Sequence, residues 1–389
     1  MSVTAARGFM AAGAAVGIKA GGEKDLALVA TDDHQPVPTA AVFTQNKMTA
    51  APVVTSRKHL ETTGGMATSV IINSGNANAA TGQAGLDHAK RMCDGVARQL
   101  SIPPEQVLVC STGLISIPLP IEVIEAGIPN LTQSLGATDL SASDAATAIM
   151  TTDTHPKTSV VESTGFVVGG MAKGAAMLAP NMATMLAVLT TDAEASPDEL
   201  KAALVAALPV SFNALSVDGA TSTNDTVILM ASGRAGRVDY KALHEAVAKV
   251  CADLAGQMAG DAEGATKVVR LWVTGAANNE EAAVAARQVA ESQLVKCSWY
   301  GQDPYWGRIA SELGSSGVEF DPNQLTITYG GTLVASGGVS IVHDEEKVRS
   351  HMAERHLEIV ADLGLGQGSA TILTNDLTHA YIDENMGTS

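Results

Sequence analysis

GGMAKGAAMLAPNMATMLAVLTTD, residues 169–192, is the most unusual stretch of the chain. Small residues with one lysine, Lys173, lead through Pro180-Asn181 to Met182-Ala183-Thr184. A strongly β-prone run, 184–191, follows directly. The glycine-rich part reads as flexible and the run after it as a strand. Within it, Ala183-Thr184 is a candidate self-cleavage junction. A threonine hydroxyl is a poor nucleophile unless a base sits beside it. An N-terminal threonine carries that base as its own α-amine, whose pKa of roughly 7.7–8.0 leaves a useful neutral fraction. An internal threonine lacks the amine, so the chain must break just before Thr184. The plain alternative is a buried strand with a polar first residue, and spacing alone does not choose between them.

The surrounding chain bounds the answer. It has 389 residues, enough for two or three domains or one large one. Hydrophobic residues make up 46% and charged residues only 17%, so a large core is available and disorder is excluded. With 41 acidic and 24 basic residues the net charge is −17, which removes the counterion-releasing surface a nucleic-acid binder needs. Aromatics are 3%, so the core is built from Ala, Val, Leu, Ile and Met. Cys93, Cys110, Cys251 and Cys297 show no metal or disulfide spacing and read as buried free thiols of a reducing cytosol. The apolar stretch 8–18 is rich in Gly and Ala rather than Leu and reads as the first strand or turn of the fold. No run approaches the length of a membrane span.

Short strands alternate with helices throughout. Strands are expected at 26–31, 40–44, 68–73, 107–110, 158–162, 184–191, 226–231, 268–274, 325–329, 332–335, 357–362 and 370–374. Tyr329-Gly330-Gly331-Thr332 is a hairpin signal. Ser196-Pro197-Asp198-Glu199 is a capping box opening a helix to about Ala207. Asn278 with Glu281 opens another towards Gln293, and 240–258 keeps Leu243, Val247, Val250 and Leu254 on one face. Runs of strands and helices suggest an α+β or layered fold rather than strict βαβ alternation.

Several motifs lead nowhere. No P-loop and no HExxH occurs, and His351 and His356 read as a solvated helix surface. Gly364-Leu365-Gly366-Gln367-Gly368 lacks the last glycine of a dinucleotide loop and is a turn between strands. Gln257–Ala262 resembles a short pyrophosphate-binding pattern, but it closes a helix, where the dipole has the wrong sign for phosphate.

KGAAMLAPNMATMLAVLTTDA, 173–193, resembles the self-processing signature of the ornithine acetyltransferase / glutamate N-acetyltransferase (ArgJ) family. The similarity extends through GFMAAGAAVGIKA at the start, NSGNANA at 73–79, CSTGLI at 110–115 and AIMTTD at 148–153. It continues in VDGATSTNDT at 217–226, GDAEGATK at 260–267, DPYWGR at 303–308 and TNDLTHAYIDEN at 374–385.

The resemblance implies an α+β fold: an N-terminal-nucleophile-like four-layer α-β-β-α sandwich (DmpA/ArgJ-like), with a smaller C-terminal α/β subdomain. It implies an α chain, 1–183, and a β chain, 184–389, cut between Ala183 and Thr184 and folded as one unit, assembling as a heterotetramer. It implies a cytoplasmic enzyme of arginine biosynthesis that moves acetyl from N2-acetylornithine to L-glutamate. That transfer needs no cofactor and no metal, and acetyl-CoA enters as a substrate only in a bifunctional enzyme.

By the same resemblance Thr184 is nucleophile, acetyl carrier and substrate contact, and Thr112-Gly113 is the oxyanion hole. Thr151, Lys173, Glu263, Asn385 and Ser389 are substrate contacts. The Lys173 ammonium suits a carboxylate and Glu263 suits an amino group. The bland readings are a strand-ending turn for 111–113, a helix C-terminus for Thr151, a solvated lysine at 173 and a surface acid at 263. The net charge does not forbid an acidic substrate, because the Debye length is about 8 Å at physiological salt. Two places depart from the family pattern: Tyr305 replaces the usual Asn, and the tail after Asn385 is shortened, so that Thr388 or Ser389 takes the terminal role. Bifunctional use of acetyl-CoA, and an aminopeptidase or amidase on the same fold, stand as alternative functions.

Overall fold

The computed structural model describes residues 2–178 and 185–386. The chain divides into two compact units, Met1–Asn213 with Ala220–Met258, and Ala214–Gly219 with Ala259–Ser389.

The first unit holds two sheets. Phe9–Ala14, Leu26–Thr31, Ser69–Asn76 and Val107–Leu114 lie in that order in one, antiparallel except for the last, parallel pair. The other runs Met66–Ala67, Val37–Phe43, Thr226–Arg237, Leu186–Glu194, Phe166–Lys173 and Lys157–Ser163. There only the Thr226–Arg237 and Leu186–Glu194 pair is parallel.

Side chains alternate across each strand, and here both faces are buried. Val29, Ile72 and Cys110 of the first sheet meet Met171, Val188 and Ile228 of the second in one core. Their sequence neighbours Leu28, Ile71 and Val109 point the other way, against Met92 and Val96 of helix Gly82–Leu100 and Ile124 of helix Ile121–Gln133. Helix Pro197–Ala207 lies against Val37–Phe43 on the far side of the second sheet. Helix Tyr240–Gly260 covers the same sheet: a Cβ on Gly170 would come within 3.0 Å of Val250 and 3.3 Å of Leu254. The expected four layers, α-β-β-α, are therefore present. Burial on both faces explains why Leu26–Thr31 reads as a continuous apolar run.

The second unit is the smaller α/β part. Its sheet runs Leu215–Ser216, Gly368–Asn375, Val268–Ala276, His356–Asp362, Thr326–Tyr329, Thr332–Ser336 and Val339–Ser340. Leu271, Val273, Ile327 and Ile359 pack against Ala285 and Val289 of helix Asn279–Glu291, Trp299 of helix Gln293–Tyr300 and Leu313 of helix Trp306–Ser315. Gly330 and Gly331 take positive φ, as the hairpin between Tyr329 and Thr332 requires.

Four expectations change. The glycine-rich 169–173 segment is not flexible: it belongs to the strand Phe166–Lys173, buried over most of its length. Small residues serve close packing there, since a Cβ on Gly169 would sit 2.0 Å from the Ser2 carbonyl oxygen. The helix opened at Asn278 ends at Glu291, and Ser292 caps a second one, Gln293–Tyr300. Cys93, Cys110 and Cys251 are buried, but Cys297 is exposed because it lies on the outer face of that second helix. His351 is packed and its Nε2 accepts the Glu358 N–H at 2.9 Å, whereas His356 begins a strand. The expected strand 184–191 is found as Leu186–Glu194, while Thr184 lies outside the described residues. Among the described residues, no helix is long and apolar enough to cross a membrane, and no group of His, Cys, Asp or Glu forms a metal cluster.

Candidate functional site

Lys173 is the last residue of its strand and is only 8% exposed. A lysine so buried must place its protons on acceptors. Its Nζ donates to Thr151 Oγ1 at 2.7 Å and to Thr112 Oγ1 at 3.3 Å. Thr112 lies near the end of a strand of the four-stranded sheet, Thr151 lies just beyond the helix Asp139–Ala148, and Lys173 belongs to the six-stranded sheet. Three separate elements thus deliver two hydroxyls and a cation to one point. The solvated-lysine reading of Lys173 is corrected by its burial between them.

Asp153 organises the same place, and its side chain is wholly buried. Its Oδ1 accepts from Lys157 Nζ at 2.6 Å and from the Gly174 N–H at 2.7 Å. Its Oδ2 accepts the Thr151 N–H at 3.0 Å and stands 4.0 Å from Lys173 Nζ. Burial by itself raises a carboxyl pKa. Here the Lys173 and Lys157 charges, with the hydrogen bonds from Lys157 and Gly174, outweigh it and hold Asp153 at about 2. A third lysine, Lys19, donates to the carbonyls of Met150 at 2.7 Å and Lys24 at 3.0 Å, and so ties down the backbone before Thr151. Burial lowers its pKa against the pull of Asp25.

Gly113 follows Thr112 with φ +127, in the region that favours glycine. A Cβ there would lie 2.3 Å from the Gly75 carbonyl carbon and 2.5 Å from the Asn76 nitrogen. The register between the two strands slips at Gly75/Asn76, so Thr112-Gly113 sits at a bulge rather than in a regular ladder. Asn224 crosses this region: its Nδ2 donates to the carbonyls of Ala77 at 2.6 Å and Ser111 at 2.9 Å.

Glu263 and Asn385 form a second group, in the second unit. Asn385 Nδ2 donates to Glu263 Oε2 at 2.8 Å. Glu263 is 8% exposed, which corrects its reading as a surface acid. The close approach of its turn to helix His379–Asn385 needs Gly264, whose Cβ would be 2.4 Å from the Tyr381 nitrogen. Tyr381 Oη donates to Asp218 Oδ2 at 3.2 Å, and burial pushes its phenol pKa up. Tyr305 is exposed, with the Arg308 guanidinium 5.6 Å from its ring centroid. Ala183, Thr184, Thr388 and Ser389 lie outside the described residues.

Sequence reasoning missed Asp153, Lys157, Lys19 and Asn224 as site residues. Asp153 and Asn224 stand inside the quoted motifs AIMTTD and VDGATSTNDT, so a polar residue in each was visible. Their burial and partners were not. Chemically, an ammonium held between two hydroxyls beside a glycine bulge suits an oxygen-rich group, such as a carboxylate or a polarised carbonyl.

A family model described as the ArgJ family matches residues 10–387. The chain is 45% identical over 394 residues to a Mycolicibacterium paratuberculosis protein named arginine biosynthesis bifunctional protein ArgJ, covering 100% of this chain and 96% of that relative. A Thermobifida fusca protein of the same name is 44% identical over 391 residues, with 100% of both covered. Among solved structures, the arginine biosynthesis bifunctional protein ArgJ of Bacillus halodurans is 37% identical with a TM-score of 0.49, covering 51% of this chain and 96% of that one. The ornithine acetyltransferase of Mycobacterium tuberculosis complexed with ornithine is 42% identical with a TM-score of 0.44, covering 47% of this chain and 95% of that one.

Proposed function

The chain belongs to the ArgJ family, and from that premise we infer that it is an arginine-biosynthesis acyltransferase moving acetyl from N2-acetylornithine to L-glutamate. The observation that carries this reading is the convergence of Thr112, Thr151 and Lys173, drawn from three elements onto one ammonium. All three are residues to which the family resemblance assigned binding or oxyanion roles.

In this reading the chain first cuts itself between Ala183 and Thr184. The strand Leu186–Glu194, soon after the junction, runs between Phe166–Lys173 and Thr226–Arg237. Such a central strand supports two pieces that stay one folded unit. The freed Thr184 amine then takes the Thr184 hydroxyl proton while Oγ attacks the acetyl carbonyl. The oxyanion rests on donors at Thr112-Gly113; loss of one such donor commonly costs about 10²–10³ in rate. Collapse expels ornithine, which receives the proton from the amine, and leaves acetyl on Thr184 Oγ. The glutamate α-amine attacks that ester, the Thr184 amine again carries the proton, and N-acetylglutamate leaves. Lys173 binds a substrate carboxylate, and the family resemblance makes Glu263 and Asn385 substrate contacts as well. A cytoplasmic heterotetramer of two α and two β chains is part of the same reading.

A second reading adds acetyl-CoA as a donor. The relatives' name, bifunctional, favours it. Two measurements test the whole. Denaturing mass spectrometry is expected to show a fragment beginning at Thr184, and a single uncut chain contradicts the mechanism. Sustained ornithine release from acetylornithine is expected only with glutamate as acceptor, with no more than one ornithine per site in its absence. Continued turnover with water alone supports the amidase alternative, and N-acetylglutamate formed from acetyl-CoA supports the bifunctional one.

A further inference from the structure

Lys157 has no part in the chemistry outlined above, yet its side chain is completely buried in the same cluster. It is the first residue of the strand Lys157–Ser163 and pairs in register with Ala172, beside Lys173. Its Nζ lies 2.6 Å from Asp153 Oδ1, whereas Lys173 Nζ stays 4.0 Å from Asp153 Oδ2. The short, hydrogen-bonded contact to the carboxylate is therefore made by Lys157. Lys173, which touches Thr112 and Thr151, forms the longer ion pair with it.

That order has a consequence for charge. Asp153 is needed where it is, because it accepts the Gly174 and Thr151 N–H groups and so fixes the backbone on both sides of the site. A lone buried carboxylate beside Lys173 would draw the ammonium into an ion pair and cancel the charge that a substrate carboxylate needs. We propose that Lys157 is a positioning residue that neutralises Asp153, so that Asp153 can hold the site's backbone without quenching Lys173 as the receptor for the substrate carboxylate. This rests on the reading of Lys173 given under Proposed function.

The test uses the full chain and three variants. Lys157→Gln keeps a donor to Asp153 but removes the charge; Lys157→Arg keeps the charge; Asp153→Asn with Lys157→Gln removes both charges. Steady-state transfer and calorimetric binding of L-glutamate are measured on each, with thermal unfolding as the check on folding. Lys157→Gln is expected to raise the glutamate KM and Kd about tenfold or more, with kcat changing less; tenfold is about 1.4 kcal/mol. Lys157→Arg is expected to stay within about threefold of wild type. The double variant is expected to recover most of the affinity lost in Lys157→Gln, since no carboxylate remains to capture Lys173. A purely structural ion pair instead predicts that affinity and thermal stability fall together in Lys157→Gln and recover together in the double variant, whereas charge capture predicts an affinity loss larger than any fall in stability.

Unchanged affinity in Lys157→Gln, or a double variant as weak as the single one, overturns the proposal. Should Lys157→Gln not fold, the double variant decides: near-wild-type affinity supports charge cancellation and weak binding refutes it. Wild-type protein that binds glutamate but transfers no acetyl overturns the proposed function while the binding series still tests Lys157. Wild-type protein that binds no glutamate overturns both.

Discussion

The side-chain amide of Asn224 donates to the carbonyl of Ser111 at 2.9 Å, 113 residues away in sequence. The same nitrogen holds the Ala77 carbonyl at 2.6 Å. Asn224 therefore ties together the ends of two neighbouring strands, Ser69–Asn76 and Val107–Leu114, where their register slips beside Thr112-Gly113. An amide with two donors is the side chain that can serve two carbonyls at once.

Asn224→Ala removes both donors. Stability is expected to fall by about 1–3 kcal/mol from the lost buried hydrogen bonds. If Thr112-Gly113 is the oxyanion hole, kcat is expected to fall about 10–100-fold with little change in KM, since small misplacements of catalytic groups are costly. Steady-state kinetics beside thermal unfolding separates the two effects. A lowered Tm with normal kcat leaves Asn224 a structural tie only.

Lys173→Ala is expected to raise KM for both acetylornithine and glutamate. A hydrogen bond to a charged group contributes about 1.5–3 kcal/mol, so the rise is on the order of 10–100-fold. An unchanged KM for both amino acids removes the binding role assigned to this residue.

Gly113→Ala combines a φ of +127 with a Cβ 2.3 Å from the Gly75 carbonyl carbon. Backbone strain alone costs about 1–3 kcal/mol, and the clash adds to it. The expected outcome is a Tm lowered by several degrees or loss of soluble protein, read by differential scanning calorimetry. A variant as stable as wild type means the two strands part more easily than their close approach suggests.

Asp153 gives stability an acid limb. Its folded pKa, about 2, lies below the ordinary aspartate value of 3.8. Its contribution is complete above the unfolded value and is lost as pH falls through the folded one, so the window is between about pH 4 and pH 2. The magnitude is about 2 kcal/mol. Denaturant unfolding from pH 5 to pH 2 is expected to show this loss in wild type and a flatter limb in Asp153→Asn. Parallel slopes in the two proteins contradict it.

Lys296 acts at the other end of the scale. Its Nζ donates to the carbonyls of Val217 and Asn375 and to Thr374 Oγ1, and burial lowers its pKa to about 8. The unfolded lysine, at 10.5, holds the proton longer. Its contribution to stability therefore rises with pH between about 8 and 10.5. Burial raises the pKa values of Cys93, Cys110 and Cys251, which work in the opposite sense. The quantity to measure is the difference in unfolding free energy between wild type and Lys296→Met over that range. A difference independent of pH removes the claim.

Much of the fold was readable along the chain because its signals are local. Leu26–Thr31 was delimited by its apolar run, and helix Pro197–Ala207 by the Ser196 box, in which the Glu199 N–H meets Ser196 Oγ. The strand Phe166–Lys173 escaped because glycine has low strand preference. Its two glycines are there to let Ser2, Val250 and Leu254 come close, which is a fact about other segments.

The sequence by itself determined the family, the strand and helix periods, and which residues to watch: Thr112, Thr151, Lys173, Glu263 and Asn385. Those follow from patterns carried by neighbouring residues. Tertiary structure alone decided that Lys173 meets Thr112 and Thr151, that Glu263 meets Asn385, and that Lys157 makes the closer contact with Asp153. A polar side chain's role depends on which partners burial leaves within reach, and packing brings those partners from 22, 61 and 122 residues away. No local pattern encodes that choice.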